Sequence, residues 1–220
     1  MQETLFGDDF EIGEEIGALE EWCRRQEIRW IVGVDEAGRG PLAGPVQTAA
    51  VAVDVDRLEA PWIALLDDSK KLAEDQREEA FGEIRESAPA FCMAASSPEV
   101  IDEINILEAT RRAMLEAVDG VCHQLDATPD YLFVDGDTRL ETPRPHRTLV
   151  RGDGRSYAIA AASILAKVSR DRLMVEYAEK WPGYRFASNK GYPTRAHRQA
   201  IAERGPCPIH RRSFGGVEEK

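Results

Sequence analysis

The apolar positions along this chain change period several times, and each change predicts an element. Trp30–Asp35 alternates and is rich in β-branched residues, as a strand does, and Val46–Val53 ("VQTAAVAV") repeats the signal after a Gly/Pro turn. Residues 72–87 read as an exposed amphipathic helix and 90–97 ("AFCMAASS") as a third strand. Helical spacing runs through Ile101, Ile104, Leu107, Met114, Leu115, Val118 and Leu125, which predicts one helix over 99–125. Short buried strands are expected at 131–136 and 146–153, an alanine-rich helix at 156–181, and a last helix from about Thr194 to Glu203. Three strands, then helices, then strand–helix units make an α/β chain: a mixed sheet flanked by helices on both faces, with a helical C-terminal part. The organisation expected is an acidic helical extension at 1–28, a core at 29–160 and a basic helical part at 161–220.

Composition narrows this. The 220 residues are 43% hydrophobic, enough for one substantial core. No stretch approaches the roughly 18 apolar residues of a membrane span, and the acidic start is unlike a secretory signal. Cys23, Cys92, Cys122 and Cys207 are far apart and form no CxxC pair, so neither a zinc site nor a disulfide framework is expected, and a reducing cytosol is. The net charge of −12 argues against a nucleic-acid partner until its distribution is read. Residues 1–138 hold 11 Lys+Arg against 32 Asp+Glu, whereas residues 139–220 hold 17 against 8. A basic C-terminal arm is what phosphates would meet.

Three acids fall at or near predicted strand ends, Asp35, Asp135 and Asp153, and Glu36 adjoins the first. Strand ends of open sheets are where ligand sites form. Oxygen-only donors suit Mg²⁺ or Mn²⁺, and converging carboxylates can hold two such ions for phosphoryl chemistry. Taken singly each acid also suits a turn, Asp135-Gly136 above all. Gly38-Arg39-Gly40 follows the first pair and lets backbone approach a ligand, with Arg39 in reach of a phosphate. Ser69, Lys70 and Lys71 precede a helix, where a cap and two cations can meet a phosphate.

Together these residues resemble the ribonuclease HII family, on its bacterial side. The likeness rests on "VGVDEAGRGPLAGPV" at 32–46, "DSKKL" at 68–72, "IDEINILEATRRAM" at 101–114, "VDG" at 134–136, "RGDGRSYAIAAASILAKVSRDRLM" at 151–174, "NKGYPT" at 189–194 and "HRRSF" at 210–214, in the family's order. It implies a ribonuclease H-like mixed five-stranded sheet. It also implies an endonuclease that cleaves RNA in RNA–DNA hybrids and incises duplex DNA 5′ to a single ribonucleotide, with Mg²⁺ or Mn²⁺ held by Asp35, Glu36, Asp135 and Asp153. Asp137 and Asp171 are rivals on sequence alone, Asp171 reading as structural within the long helix. The resemblance assigns Gly38, Arg39 and Gly40 to the ribose 2′-hydroxyl, the group that separates RNA from DNA, and Tyr192 to the sugar of the following deoxynucleotide. Arg151, Asn189 and Pro193 depart from the family's commonest residues, and Pro193 stiffens the loop that carries Tyr192. No protein nucleophile is called for, so His197, His210 and the cysteines read as structural. Lys167, Arg170, Lys190, Arg195, Arg211 and Arg212 are expected to contact duplex phosphates.

Near the start, Gln2, Leu5 and Phe6 ("QETLF") resemble the peptide by which bacterial replication proteins dock on the sliding clamp. A monomer without membrane contact is expected. A hybrid-binding module without activity would lack one of the four acids, and the ribonuclease HIII type carries an N-terminal domain larger than 28 residues can supply.

Overall fold

A computed structural model describes residues 12–66, 72–125 and 128–217. Five strands form one sheet in the order β3-β2-β1-β4-β5. They are β1 (Trp30–Ala37), β2 (Val46–Asp54), β3 (Ala90–Ser96), β4 (Tyr131–Asp135) and β5 (His146–Leu149). β1 pairs antiparallel with β2 and parallel with β4, β2 pairs antiparallel with β3, and β4 pairs parallel with β5, so the sheet is mixed.

Alternation along β1 divides the core. Ile31 shares one apolar cluster with Ala49, Val51 and Val53 of β2 and with helix α5 (Tyr157–Lys180). Val32 and Val34 belong to the cluster on the other face, under helix α4 (Ile106–Leu125). α5 presses close to the sheet because Ala158, Ala160, Ala161 and Ala162 present little bulk and Gly33 presents none. A Cβ at Gly33 would lie 2.1 Å from the backbone carbon of Ala158. Helix α1 (Ala18–Arg25) buries Leu19 and Cys23 in the α5-side cluster, joined there by α2 (Glu74–Ser87). A third cluster, around Met174, Phe186 and Ile201, packs the C-terminal helices α6 (Phe186–Asn189) and α7 (Arg195–Arg204) on the end of α5.

Two elements differ from the sequence expectation. The helix expected over 99–125 is two, α3 (Pro98–Ile104) and α4, broken at Asn105 with φ +69°. Asn tolerates that left-handed backbone, and its side chain caps the second helix by accepting from the N–H groups of Leu107 and Glu108. The strand expected at 146–153 stops at Leu149, and Asp153 sits instead in a 3₁₀ turn, Gly152–Gly154. The boundary drawn at 160 falls inside α5, which runs on without a break.

Candidate active site

Register assembles the acids. β1 and β4 run in parallel with Ile31 beside Tyr131 and Val34 beside Val134, so one step further Asp35 comes beside Asp135. Both follow the alternation of the α5 side, and Ser163 of α5 donates a hydrogen bond to Asp35. Asp35 is only 5% exposed, and its Oδ1 accepts the N–H of Glu36 at 2.7 Å. Asp135 Oδ1 accepts the N–H of Gly152 at 2.7 Å, which ties the turn carrying the buried Asp153 to the end of β4.

Burial and like charge act on this group together. The Asp35 carboxyl is held well above its ordinary value, by burial first and then by the charges of Asp135 and Glu36, against the hydrogen bonds from Ser163 and the Glu36 N–H. Burial also raises Glu36, with Asp135 adding to the effect and the guanidinium of Arg39, 3.4 Å away, opposing it. Such a cluster favours a cation. The donors are carboxylate oxygens alone, which fits a hard divalent ion. Among the described residues no three His, Cys, Asp or Glu side chains are already drawn into a metal cage.

The Gly38-Arg39-Gly40 loop is built on the opposite principle. Two buried arginines hold carbonyl oxygens of this loop and of the segment that follows it to Pro45. Arg211, 0% exposed, donates from Nη2 to Gly38 at 2.6 Å, from Nη1 to Arg39 at 2.9 Å and from Nε to Gly44 at 2.9 Å. Arg170, 1% exposed, donates to Pro45 and Ala43, both at 3.1 Å, and to Lys190 at 3.0 Å. Burial and the nearby Arg170 push the Arg211 guanidinium down to about 9, which leaves it protonated at neutral pH. All peptide bonds among the described residues are trans. With the Gly38 and Arg39 carbonyls turned toward Arg211, the N–H groups of Arg39 and Gly40 face the other way. Among the described residues none accepts from the N–H of Gly38, Arg39 or Gly40. Gly38 is required twice over: its φ is +99°, and a Cβ there would lie 2.0 Å from Arg170 Nε.

The Tyr192 ring is 44% exposed and stands beside this loop, 3.9 Å from where a Gly40 Cβ would be and 5.9 Å from the Arg170 guanidinium. Asn189 braces its approach, donating to the Tyr184 carbonyl and accepting from the Gly191 N–H, while the Tyr192 N–H donates to the Asn189 carbonyl.

The phosphate role expected of Arg170 and Arg211 is corrected: both are buried and spent on loop carbonyls. Lys167 pairs with Asp171 at 2.7 Å, one turn apart on α5. Asp137 is exposed. Arg195 and Arg212 are exposed, and Lys190 is partly so. Ser69, Lys70 and Lys71, and Gln2, Leu5 and Phe6, lie outside the described residues. Sequence reading also missed Glu20. Its buried carboxylate accepts from Ser156 Oγ at 2.7 Å and the Ala158 N–H at 3.1 Å, fastening α1 to the first turn of α5. Arg170 had a legible sign, since it shares the buried stripe of α5 with Ala166 and Met174, four residues to either side.

Known proteins share this chain's sequence pattern and fold. The Ribonuclease HII family model matches residues 32–217. A ribonuclease HII of Geobacter metallireducens is 48% identical over the whole chain and 98% of its own length. The crystal structure of ribonuclease H2 from Pyrococcus horikoshii is similar with a TM-score of 0.73 at 25% identity, over 86% of this chain and 95% of that one. The structure of a PCNA:RNase HII complex from Archaeoglobus fulgidus is similar with a TM-score of 0.67 at 29% identity, over 86% and 97%. The family model over residues 32–217, the curated relative and the shared five-stranded mixed sheet place the chain in the ribonuclease HII family, as a metal-dependent ribonuclease H acting on RNA–DNA hybrids.

Proposed function

We propose that the protein, besides cutting RNA in hybrids, incises duplex DNA on the 5′ side of a single embedded ribonucleotide, leaving 3′-hydroxyl and 5′-phosphate ends. One observation carries this reading. The buried Asp35 and the half-buried Glu36 at the end of β1 run directly into a loop whose carbonyls are turned inward and whose amides are uncommitted, with an exposed tyrosine beside it. A 2′-hydroxyl is both donor and acceptor, and only close, pre-set backbone reads it without rejecting the rest of the nucleotide.

Asp35, Glu36, Asp135 and Asp153 hold the divalent ions. When bound, Mg²⁺ or Mn²⁺ supplies an activated water and a counter-charge for the departing 3′-oxygen. Ser163 and the Gly152 N–H keep Asp35 and Asp135 oriented. Gly38, Arg39 and Gly40 take the ribose, and Arg39 stays against Glu36. Tyr192 packs on the next sugar, where a 2′-hydroxyl would be crowded. Lys190, Arg195 and Arg212, with Ser69, Lys70 and Lys71, meet backbone phosphates, and binding then weakens with rising salt.

The test is cleavage of a duplex holding one ribonucleotide, mapped to the nucleotide, with Mg²⁺, with Mn²⁺ and with chelator. A cut on the 5′ side that needs the metal supports the reading. A cut elsewhere, or undiminished cleavage under chelation, overturns it.

A second reading concerns assembly. Gln2, Leu5 and Phe6 dock this chain on a sliding clamp, a reading favoured by the motif and by the archaeal RNase HII structure in complex with PCNA. Unchanged clamp capture by a Leu5→Ala/Phe6→Ala double variant would remove it.

A further inference from the structure

Behind Tyr192 lies a buried polar chain that the chemistry does not use. His197, in the first turn of α7, and His210 are both buried, and their Nε2 atoms are 3.1 Å apart. Two contacts fix where the protons are. His210 Nδ1 has the Cys207 N–H at 2.9 Å, the Cys207 Sγ at 3.1 Å and the Cys207 carbonyl oxygen at 3.2 Å. Because the Tyr192 carbonyl can only accept, neutral His197 carries its proton on Nδ1 and offers Nε2 as an acceptor. The His210 proton is therefore on Nε2, and its Nδ1 accepts. His210 Nε2–H donates to His197 Nε2, and His197 Nδ1–H donates to the Tyr192 carbonyl oxygen, 2.9 Å away. Every hydrogen bond in the chain runs the same way, from Cys207 to Tyr192. Burial keeps both rings neutral, pushing His210 down to about 4 and lowering His197. The rings are also packed, with Phe186 edge-on to His197 and Tyr184 edge-on to His210.

The far end of this chain is the residue that bears the exposed ring. The Tyr192 carbonyl accepts from His197 and from the Thr194 N–H, and the Tyr192 N–H is committed to Asn189. The backbone of Tyr192 is therefore fixed from below while its ring stands next to Gly40.

We propose that His197 and His210 form a proton-ordered pair that holds Tyr192 at its working position and so sets the preference for a deoxynucleotide sugar after the ribose. They are positioning residues for substrate choice. This rests on the sugar-packing reading of Tyr192 given above.

The experiment compares the rate of cutting a duplex with one ribonucleotide to that of cutting a continuous hybrid. The variants are Tyr192→Ala, His197→Gln and His197→Asn. A Gln amide reaches the Nε2 position and keeps the contact with His210 but loses the donor to Tyr192. An Asn amide occupies the Nδ1 position and keeps that donor. Tyr192→Ala and His197→Gln are each expected to lower the ratio about tenfold, since misplacement of a positioning group by about 1 Å can cost up to 100-fold. His197→Asn is expected to stay within about twofold of the parent. A ratio unchanged in Tyr192→Ala overturns the sugar-packing reading and this inference with it. A ratio lowered in Tyr192→Ala but not in His197→Gln overturns the inference alone. Nitrogen NMR of the parent's imidazoles adds a measurement that needs no variant. His210 is expected as the Nε2–H form and His197 as the Nδ1–H form at neutral pH, and the reverse form in either ring overturns the pair.

Discussion

The two walls of the site are held by opposite physics. At the ends of β1 and β4, Asp35 and Asp135 are brought side by side with Glu36 near, and burial first, then their repulsion, holds the Asp35 carboxyl well above its ordinary value. At the adjoining loop, five carbonyls from Gly38 to Pro45 each receive a guanidinium hydrogen bond from Arg170 or Arg211. One wall opposes folding and is there for function; the other stabilises the fold and is there to make the first possible. Strain of this kind persists only where the surroundings over-determine it.

The largest effect is expected where the strained wall is relaxed. Asp35→Asn removes a metal ligand and should cut turnover by about 1,000-fold or more, as the loss of several kcal/mol of charge stabilisation requires. The same change should raise the melting temperature of the chelated protein. A carboxyl whose folded pKa is raised stabilises the fold only while protonated, and that contribution is lost as pH climbs from about 3.8 upward. Asn stays neutral throughout. A variant that is inactive and also less stable at neutral pH would contradict this account of the acidic wall.

Breaking the other wall should show the reverse. Arg211→Met leaves the carbonyls of Gly38, Arg39 and Gly44 without their donor. At about 1–3 kcal/mol for each buried unsatisfied group, and with some relief of the repulsion from Arg170, a net loss on the order of 3–5 kcal/mol is expected in denaturant unfolding. A loss below about 1 kcal/mol would show that the loop does not depend on the guanidinium.

Acid should separate the two sides without any mutation. A histidine in the unfolded chain titrates near 6.5, whereas burial in the fold pushes His210 down to about 4. Between these values the unfolded chain binds the proton first, so stability falls as pH is lowered through that window, by roughly 3 kcal/mol at most. Asp35 pulls the other way, since acid relieves it. The slope of stability against pH from 6.5 to about 4 should therefore become steeper in Asp35→Asn and shallower in His210→Asn, measured by thermal unfolding in a pH series.

How much of this the sequence carried follows the same division. The acidic wall was legible because strand period and an acid at each strand end are local features: "WIVGVD" and "YLFVDG" announce themselves. Asp153 was found as a residue but misplaced as an element, because "HRTLVRGD" keeps a strand-like texture past Leu149 where the chain has already turned. The break at Asn105 was hidden because helical spacing holds on both of its sides. The stapled wall was barely legible: the helical stripe marks Arg170 as buried but not what it binds. The carbonyls between Gly38 and Pro45 that Arg170 and Arg211 reach are 125 to 173 residues away in sequence, and nothing near either arginine names those partners. Arginine is seldom fully buried, so a basic segment reads as a surface, and surface cations read as phosphate contacts.

The two glycines of the loop allow the sharpest and smallest test. Gly38→Ala places a Cβ against Arg170 at φ +99° and should damage fold and activity together. Gly40 meets no such obstacle: a Cβ there has only the Tyr192 ring near, at the ordinary distance of 3.9 Å. Replacing it should leave stability within about 1 kcal/mol, with a small gain available from the stiffer unfolded chain. The methyl group would nonetheless stand on the surface assigned to the ribose. Cleavage at a single ribonucleotide should fall about tenfold while the melting temperature holds, an effect that a tightly packed but functionally idle loop would not produce. Equal activity of Gly40→Ala and the parent would mean that the ribose is read elsewhere, and the inward-turned carbonyls would then be a feature of folding alone.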